Sequence, residues 1–365
     1  MPERFRTLGL AAPYEPAFFE YEPAPVEEGS FRVETLYTGL SAGTELTLYK
    51  GTNPYLHAAF DEEFGVFRSG SPSVAYPIER LGYMEVGRVV ESRCAGASPG
   101  RLVAMAYGHR TGHVADATHE RFVVLPEGVD PLLGVYVAHM GPICANGLLH
   151  AAAELGSGEI DGLGAGVADR HLVVVGAGVV GLITGLFAVE HGAAAVAVID
   201  PSPERLAAAQ ALGLEAVAEH PGAWEQIKER WPHGPRDRGA DVVFQCRGRA
   251  ESLALALRCL RPQGTVIDLA FYQGGAEAVR LGEEFHHNGL AIRCAQIGRV
   301  PRGLGDHWDR NRLSQETIEL LRAHGTRMRE ALITDVVDLE EAPALLAQLA
   351  ARERQVLQAV FRVSG

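Results

Sequence analysis

The feature that most constrains this chain is the run Val173-Val174-Val175-Gly176-Ala177-Gly178-Val179-Val180-Gly181-Leu182. A Gly-x-Gly-x-x-Gly triplet alone is weak. Here it closes an apolar strand and opens an apolar helix, Leu182 to Glu190. A second strand follows, Val196-Ala197-Val198-Ile199, ending in Asp200. That order specifies a strand–turn–helix–strand unit whose helix N-terminus meets the crest of a parallel sheet. Gly176 permits the tight turn, Gly178 lets backbone approach a diphosphate, and Gly181 lets the helix pack close to the sheet. With Ala177, Val179 and Val180 they form a candidate cradle, where free N–H groups and the positive end of the helix favour phosphate. Asp200 can accept hydrogen bonds from both ribose hydroxyls of an adenosine. A 2′-phosphate there would meet a like charge, so NAD(H) is favoured over NADP(H). Arg205 is placed to stack on adenine or, alternatively, to meet a 2′-phosphate. Ligands of such sheets sit at the carboxyl ends of the strands. Cys246 and Arg247 in Gln245-Cys246-Arg247-Gly248, and Ala270 and Phe271 in Ala270-Phe271-Tyr272, therefore join the candidate cofactor residues. The alternative for the whole run is a structural turn without a ligand.

Around this unit the chain changes texture. Residues 1 to about 140 are rich in Pro, Gly and short alternating runs such as Phe31 to Tyr37 and Gly87 to Glu91, the pattern of an antiparallel β domain. From about 168 to 300, apolar strands alternate with Ala/Leu-rich helical stretches, the rhythm of a parallel sheet covered on both faces. After Pro301 come helical stretches, Ser314 to Ala323 and Leu339 to Leu349, then a strand-like Gln358 to Val363. Gly156 to Gly166 is a glycine-dense connector, expected to be a surface loop.

The 365 residues exceed one ordinary domain, and the net charge is −13 with no Lys/Arg cluster. A nucleic-acid or anionic-membrane partner needs a basic face, so neither is expected. No apolar run reaches the length of a membrane-spanning helix, and MPERFRTLGL lacks the apolar core of a signal peptide. Five scattered cysteines, Cys94, Cys144, Cys246, Cys259 and Cys294, suit reduced thiols in a cytoplasm.

Two more stretches carry a resemblance. Gly39-Leu40-Ser41-Ala42-Gly43-Thr44-Glu45, running on to Tyr49-Lys50-Gly51, resembles the first-ligand motif of the medium-chain dehydrogenase/reductases, the zinc-type alcohol dehydrogenase superfamily. Leu81-Gly82-Tyr83-Met84-Glu85-Val86-Gly87 resembles the Gly-His-Glu segment of the same superfamily, and Pro126-Glu127-Gly128-Val129 is similar to its turn. The resemblance implies a Rossmann doubly wound parallel sheet over 145–300 and a β-rich GroES-like catalytic domain from 1–144 and 301–365. It implies hydride transfer between a nicotinamide and a small alcohol or carbonyl held between the domains. It also implies a homodimer paired through an edge strand at 290–297. Trp308 begins the returning segment and is expected near that cleft, with Asp306 as an alternative helix N-cap.

The departures from the family pattern matter as much. The first zinc ligand, a Cys, aligns with Ala42 or Ser41; the His ligand aligns with Tyr83; the third falls near Pro142; and the four-cysteine lobe is absent. Zinc requires Cys, His or carboxylate, so none is expected at the usual place. His109, His113, His119, His139, His286, His287 and Cys144 are the other metal candidates, each with a structural alternative. Without the ion, the developing alkoxide needs hydrogen-bond donors. Thr44 matches the family's proton-relay hydroxyl, and Tyr83 brings a phenol to the vacated position. Glu45 is placed to orient either, and Thr47 to extend the relay towards solvent. Thr44 as a helix cap and Tyr83 as core packing are the bland alternatives. The aromatic segment between Gly51 and Gly82 reads as a lid, as a cleft wall, or as a surface loop pinned by its aromatics. The favoured expectation is an NAD(H)-dependent, zinc-independent oxidoreductase. The alternatives are an NADPH-dependent quinone or enoyl reductase, an atypical zinc alcohol or polyol dehydrogenase, and a catalytically silent NAD(H) sensor.

Overall fold

The computed structural model describes residues 4–70, 72–156 and 159–363. The first three residues of the opening segment, Ser71 of the aromatic stretch and Ser157 and Gly158 of the connector lie outside the described residues. The chain divides into two compact units, Met1–His139 with Ile333–Gly365, and Met140–Leu332.

The second unit contains a six-stranded parallel sheet. Its spatial order is Glu215–Ala218, Ala195–Asp200, His171–Val175, Ala240–Gln245, Leu260–Asp268, Ala291–Cys294. Strand His171–Val175 lies between its two successors, so the order reverses beside it. That reversal opens a crevice at the strand ends where ligands of such sheets bind. The strands read as unbroken apolar runs because both faces are covered: Leu172 to Val175 and Ala197 to Ile199 have no exposed surface. Helix Val179–Glu190 is apolar all round for the same reason, being buried from Gly181 to Ala188.

The first unit is built on a mainly antiparallel sheet of seven strands. Strand Ser30–Gly39 is central and pairs with Glu85–Ser92, Gly112–Asp116 and the C-terminal Gln358–Arg362. Phe31, Val33, Val89, Val103 and Met105 fill one core. Leu8, Leu40, Leu81, Leu345 and Phe361 fill a second.

Three local expectations are refined by the structure. Leu163 to Gly166 of the connector is a helical turn with Leu163 and Gly166 buried: a β-carbon on Gly166 would lie 2.2 Å from Ala152 backbone, so this end of the connector is packed while Glu159, Asp161 and Ala165 are exposed. Ser314 to Ala323 is part of a longer helix, Arg310–Leu332, whose first turn is capped by Asp309 through Arg312 N–H rather than by Asp306. Trp308 is a core residue of the second unit. It is 1% exposed, its indole N–H donates to Ile160 O at 2.9 Å, and Arg312 lies over its ring. The aromatic segment forms an exposed hairpin, Ala58–Asp61 with Val66–Ser69. Phe67 packs on Phe60 and Tyr55 at ring separations of 5.1 and 5.5 Å.

Candidate functional site

The glycine turn follows strand His171–Val175 directly, and its three glycines answer to different demands. Gly176 has φ +105°, a region costly for any residue with a β-carbon. A β-carbon on Gly181 would lie 1.8 Å from Gly176 O, so the helix can sit this close only without a side chain. Gly178 differs: its φ is −78°, and a β-carbon there would meet nothing within 4 Å. The protein itself does not require glycine at 178. The open space beside it leaves room for a ligand to lie against the backbone. Gly178 also caps helix Val179–Glu190 without any side-chain hydrogen bond, which leaves the first N–H groups for a ligand. The fit to a dinucleotide diphosphate is therefore good.

Asp200 is buried, and both carboxylate oxygens are engaged. One accepts Ala177 N–H at 2.8 Å and the other Ser202 N–H at 2.9 Å. Each oxygen keeps a second lone pair for a ribose hydroxyl. Arg205 lies in the first turn of helix Pro203–Ala211, where its N–H is capped by the Ser202 hydroxyl. Cys246 continues strand Ala240–Gln245, its N–H on Val175 O, and burial pushes its thiol well above the ordinary range. Arg247 pairs with Glu219 at 2.7 Å, and its Cβ lies 3.0 Å from where a β-carbon on Gly176 would stand. Ala270 donates its N–H to Asp268, and Phe271 is exposed. Sequence reasoning did not single out the Gln245, Tyr272 and Asp268 cluster at these strand ends. Tyr272 Oη donates to Asp268 at 2.9 Å, and Gln245 Nε2 reaches Tyr272 at 3.2 Å. Burial raises the Asp268 carboxyl.

In the first unit, Ser41 precedes helix Ala42–Tyr49 and Tyr83 follows the Gly82 turn. Their hydroxyls are in hydrogen-bond contact. Thr44 Oγ1 stands 3.4 Å from Tyr83 Oη, at the outer limit of such a bond, and the His139 ring tilts against the Tyr83 ring at 4.6 Å. Burial raises the Tyr83 phenol above its usual value. The Ser41 and Thr44 contacts oppose that rise, and the Glu45 and Glu85 charges add to it. At neutral pH Tyr83 is thus a proton donor.

The other proposed relay members face elsewhere. Glu45 accepts Ser41 N–H at 2.7 Å and pairs with His109 at 2.7 Å, so it orients Ser41 rather than Thr44 or the phenol. The Thr47 hydroxyl donates to Thr44 O and accepts from Asn53 Nδ2, and Thr47 is 1% exposed. Both its bonds are local, so it braces the helix. Ser41 entered the sequence reading only as an alternative ligand position; its place at a helix start facing Tyr83 was the available signal.

Hydroxyls and an alanine at the ligand positions are a poor donor set for zinc. His113 pairs with Glu120 and stacks on Tyr107, His109 pairs with Glu45, and the Cys144 thiol, pushed up to about 12 by burial, donates to Val180 O. Among the described residues, the one group of three His, Cys, Asp or Glu with converging ligand atoms is His171, His233 and Asp241. It belongs to the second unit, whereas Tyr83 belongs to the first.

Comparison with known proteins agrees with this anatomy. A family model described as a zinc-binding dehydrogenase matches residues 179–302. D-guloside 3-dehydrogenase of Escherichia coli is 26% identical over 348 residues, 93% of this chain and 94% of that protein. The solved alcohol dehydrogenase of Thermus sp. ATN1 shares the fold, with a TM-score of 0.73 and 18% identity over 98% of this chain and 100% of that one. Galactitol-1-phosphate dehydrogenase of E. coli has a TM-score of 0.72 and 15% identity over 98% and 99%. Residues 179–302 thus match the zinc-binding dehydrogenase family, and along nearly its whole length the chain is similar to zinc-type alcohol dehydrogenase-like oxidoreductases of the medium-chain dehydrogenase/reductase kind.

Proposed function

We propose that this chain is an NAD(H)-preferring dehydrogenase that interconverts a secondary alcohol of a polyol or sugar and its ketone without zinc. The observation that carries this is the Ser41–Tyr83 hydroxyl pair, with Thr44 beside it, where the family places metal ligands. The likeness to D-guloside 3-dehydrogenase supports a hydroxyl on a sugar ring as the reacting group. Asp200, already turned toward the glycine loop, supports NAD(H).

The residues divide the work. Gly176, Ala177, Gly178, Val179, Val180 and Gly181 hold the diphosphate, with Asp200 and Arg205 on the adenosine side. Cys246, Arg247, Ala270 and Phe271 border the remainder. A bound nicotinamide supplies or takes the hydride at C4. Tyr83 holds the proton that the carbonyl oxygen takes up during reduction, and the phenolate regains one from water, with the Ser41 or Thr44 hydroxyl passing it along. A single well-placed donor of this kind contributes about 2.7–4 kcal/mol at the transition state. The edge strand Ala291–Cys294 pairs on one side only among the described strands, which supports a homodimer through 290–297. No helix among the described residues is long and apolar enough to cross a membrane. Five free thiols suit a reducing cytoplasm.

The test is a panel of polyols, sugars and their ketones with NAD(H) and NADP(H), before and after exhaustive dialysis against a chelator. Turnover with NAD(H) that survives dialysis is expected. Turnover abolished by dialysis and restored by zinc overturns the metal-free reading. A strict requirement for NADPH overturns the cofactor assignment. Tight NADH binding with no turnover leaves a silent sensor.

A further inference from the structure

Behind Ser41 and Tyr83 lie four polar side chains that the chemistry above leaves unused. Glu45, His109, Thr38 and Glu85 are each at most 2% exposed. They are joined end to end: Glu45 Oε2 to His109 Nε2 at 2.7 Å, His109 Nδ1 to Thr38 Oγ1 at 2.6 Å, and Thr38 Oγ1 to Glu85 Oε1 at 3.0 Å. Backbone grips both ends. Glu45 Oε1 accepts Ser41 N–H at 2.7 Å, while Glu85 accepts Met84 N–H at 3.0 Å and Tyr107 N–H at 2.7 Å.

Counting protons assigns the donors. Glu85 accepts from two backbone groups and from Thr38, as a carboxylate does. The single Thr38 proton is then spent on Glu85, so His109 Nδ1–H must donate to Thr38. Nε2 faces Glu45, whose other oxygen is already an acceptor. Burial alone would lower the basicity of His109, but the Glu45 and Glu85 charges outweigh it and hold the ring above its ordinary value. The ring thus sits between two carboxyl groups, and burial raises that of Glu85.

Both members of the hydroxyl pair hang from this chain. Ser41 is tied through its N–H to Glu45. Tyr83 is held on both sides: Met84 N–H is bonded to Glu85, and Gly82 lies so close to the His109 ring that a β-carbon would stand 2.7 Å from it. We propose that Glu45, His109, Thr38 and Glu85 form a positioning element that sets the Ser41 and Tyr83 hydroxyls against each other, the task a coordinated ion would perform if these positions held ligands. This rests on the reading that Tyr83 handles the substrate oxygen.

The experiment is a double-mutant cycle on the full-length chain. Glu45→Gln and Thr38→Val, each close to isosteric, are made in the natural and the Tyr83→Phe backgrounds, and kcat is measured beside NADH affinity. Glu45→Gln is expected to lower kcat about tenfold in the natural background and less than about twofold beside Tyr83→Phe, with NADH affinity unchanged within about twofold; Thr38→Val follows the same pattern more weakly. Equal losses in both backgrounds, or no loss in the natural one, overturn the inference. Undiminished turnover by Tyr83→Phe alone overturns the underlying reading instead. Nitrogen-15 histidine NMR of the unsubstituted chain tests the same point without any variant: His109, identified by its contact with Thr38, is expected to carry a proton on Nδ1, donated to the Thr38 hydroxyl. A ring whose Nδ1 carries no proton overturns the inference.

Discussion

The glycine turn and the Ser41–Tyr83 pair are built from opposite materials. The turn works through backbone: its donors are N–H groups at a helix start, and its specificity lies in side chains that are missing. The hydroxyl pair works through side chains carried just outside helix Ala42–Tyr49 and strand Glu85–Ser92, beside a buried polar cluster. Backbone sites tolerate little change, because a methyl group in the wrong place strikes a carbonyl. Side-chain sites can exchange a metal ligand for a phenol while the fold around them stays the same.

That contrast is open to breakage. The largest effect is expected from Gly181→Val, whose side chain is driven into Gly176 O. Overpacking of this kind costs about 1–3 kcal/mol or more, and thermal melts and NADH fluorescence should show a lowered midpoint and binding lost. A variant that binds normally would mean that the helix does not need its close approach. Next, Tyr83→Phe should lower kcat about 10²–10³-fold while NADH affinity and melting stay put, in steady-state and equilibrium assays. A parallel loss of NADH affinity would deny that the two sites are separable. Gly178→Ala sharpens the comparison from the other side. Its methyl meets only open space, so the melting point should hold while NADH binding weakens about tenfold by titration. Unchanged binding would make Gly178 incidental.

The smallest effect is a pH dependence. Glu45 and Glu85 hold His109 above its ordinary value against the effect of burial. A raised histidine contributes its stabilisation in full below about pH 6.5 and loses it as the pH climbs through the folded-state value. The melting point should therefore drift down on the alkaline side, and His109→Gln should flatten the drift in calorimetry. A natural chain whose melting point rises there would reverse the sign.

The same contrast explains what was legible. The alternation of apolar strands and helices, and the acid that ends the second strand, spelled out the parallel sheet, since backbone geometry leaves marks in glycine and in period. Trp308 was not placed by sequence because a lone tryptophan does not say which packing it fills; its indole N–H is satisfied by Ile160. The pairing of Glu45 with His109 spans 64 positions, and the helix that carries one and the loop that carries the other share no local pattern. Ser41 was visible only as a misfit in a motif. What it touches depends on Gly82 and Met84 placing Tyr83 opposite, which no spacing announces.

The two bonds of Asp200 to Ala177 and Ser202 carry a kinetic meaning. The loop proposed to receive a diphosphate is already cross-braced to the next strand, so capture of a nucleotide there would freeze little that was moving. Affinity is then not drained by ordering. Exchange of spent for fresh nucleotide should be quick, with its tempo set by broken contacts rather than by refolding of the loop.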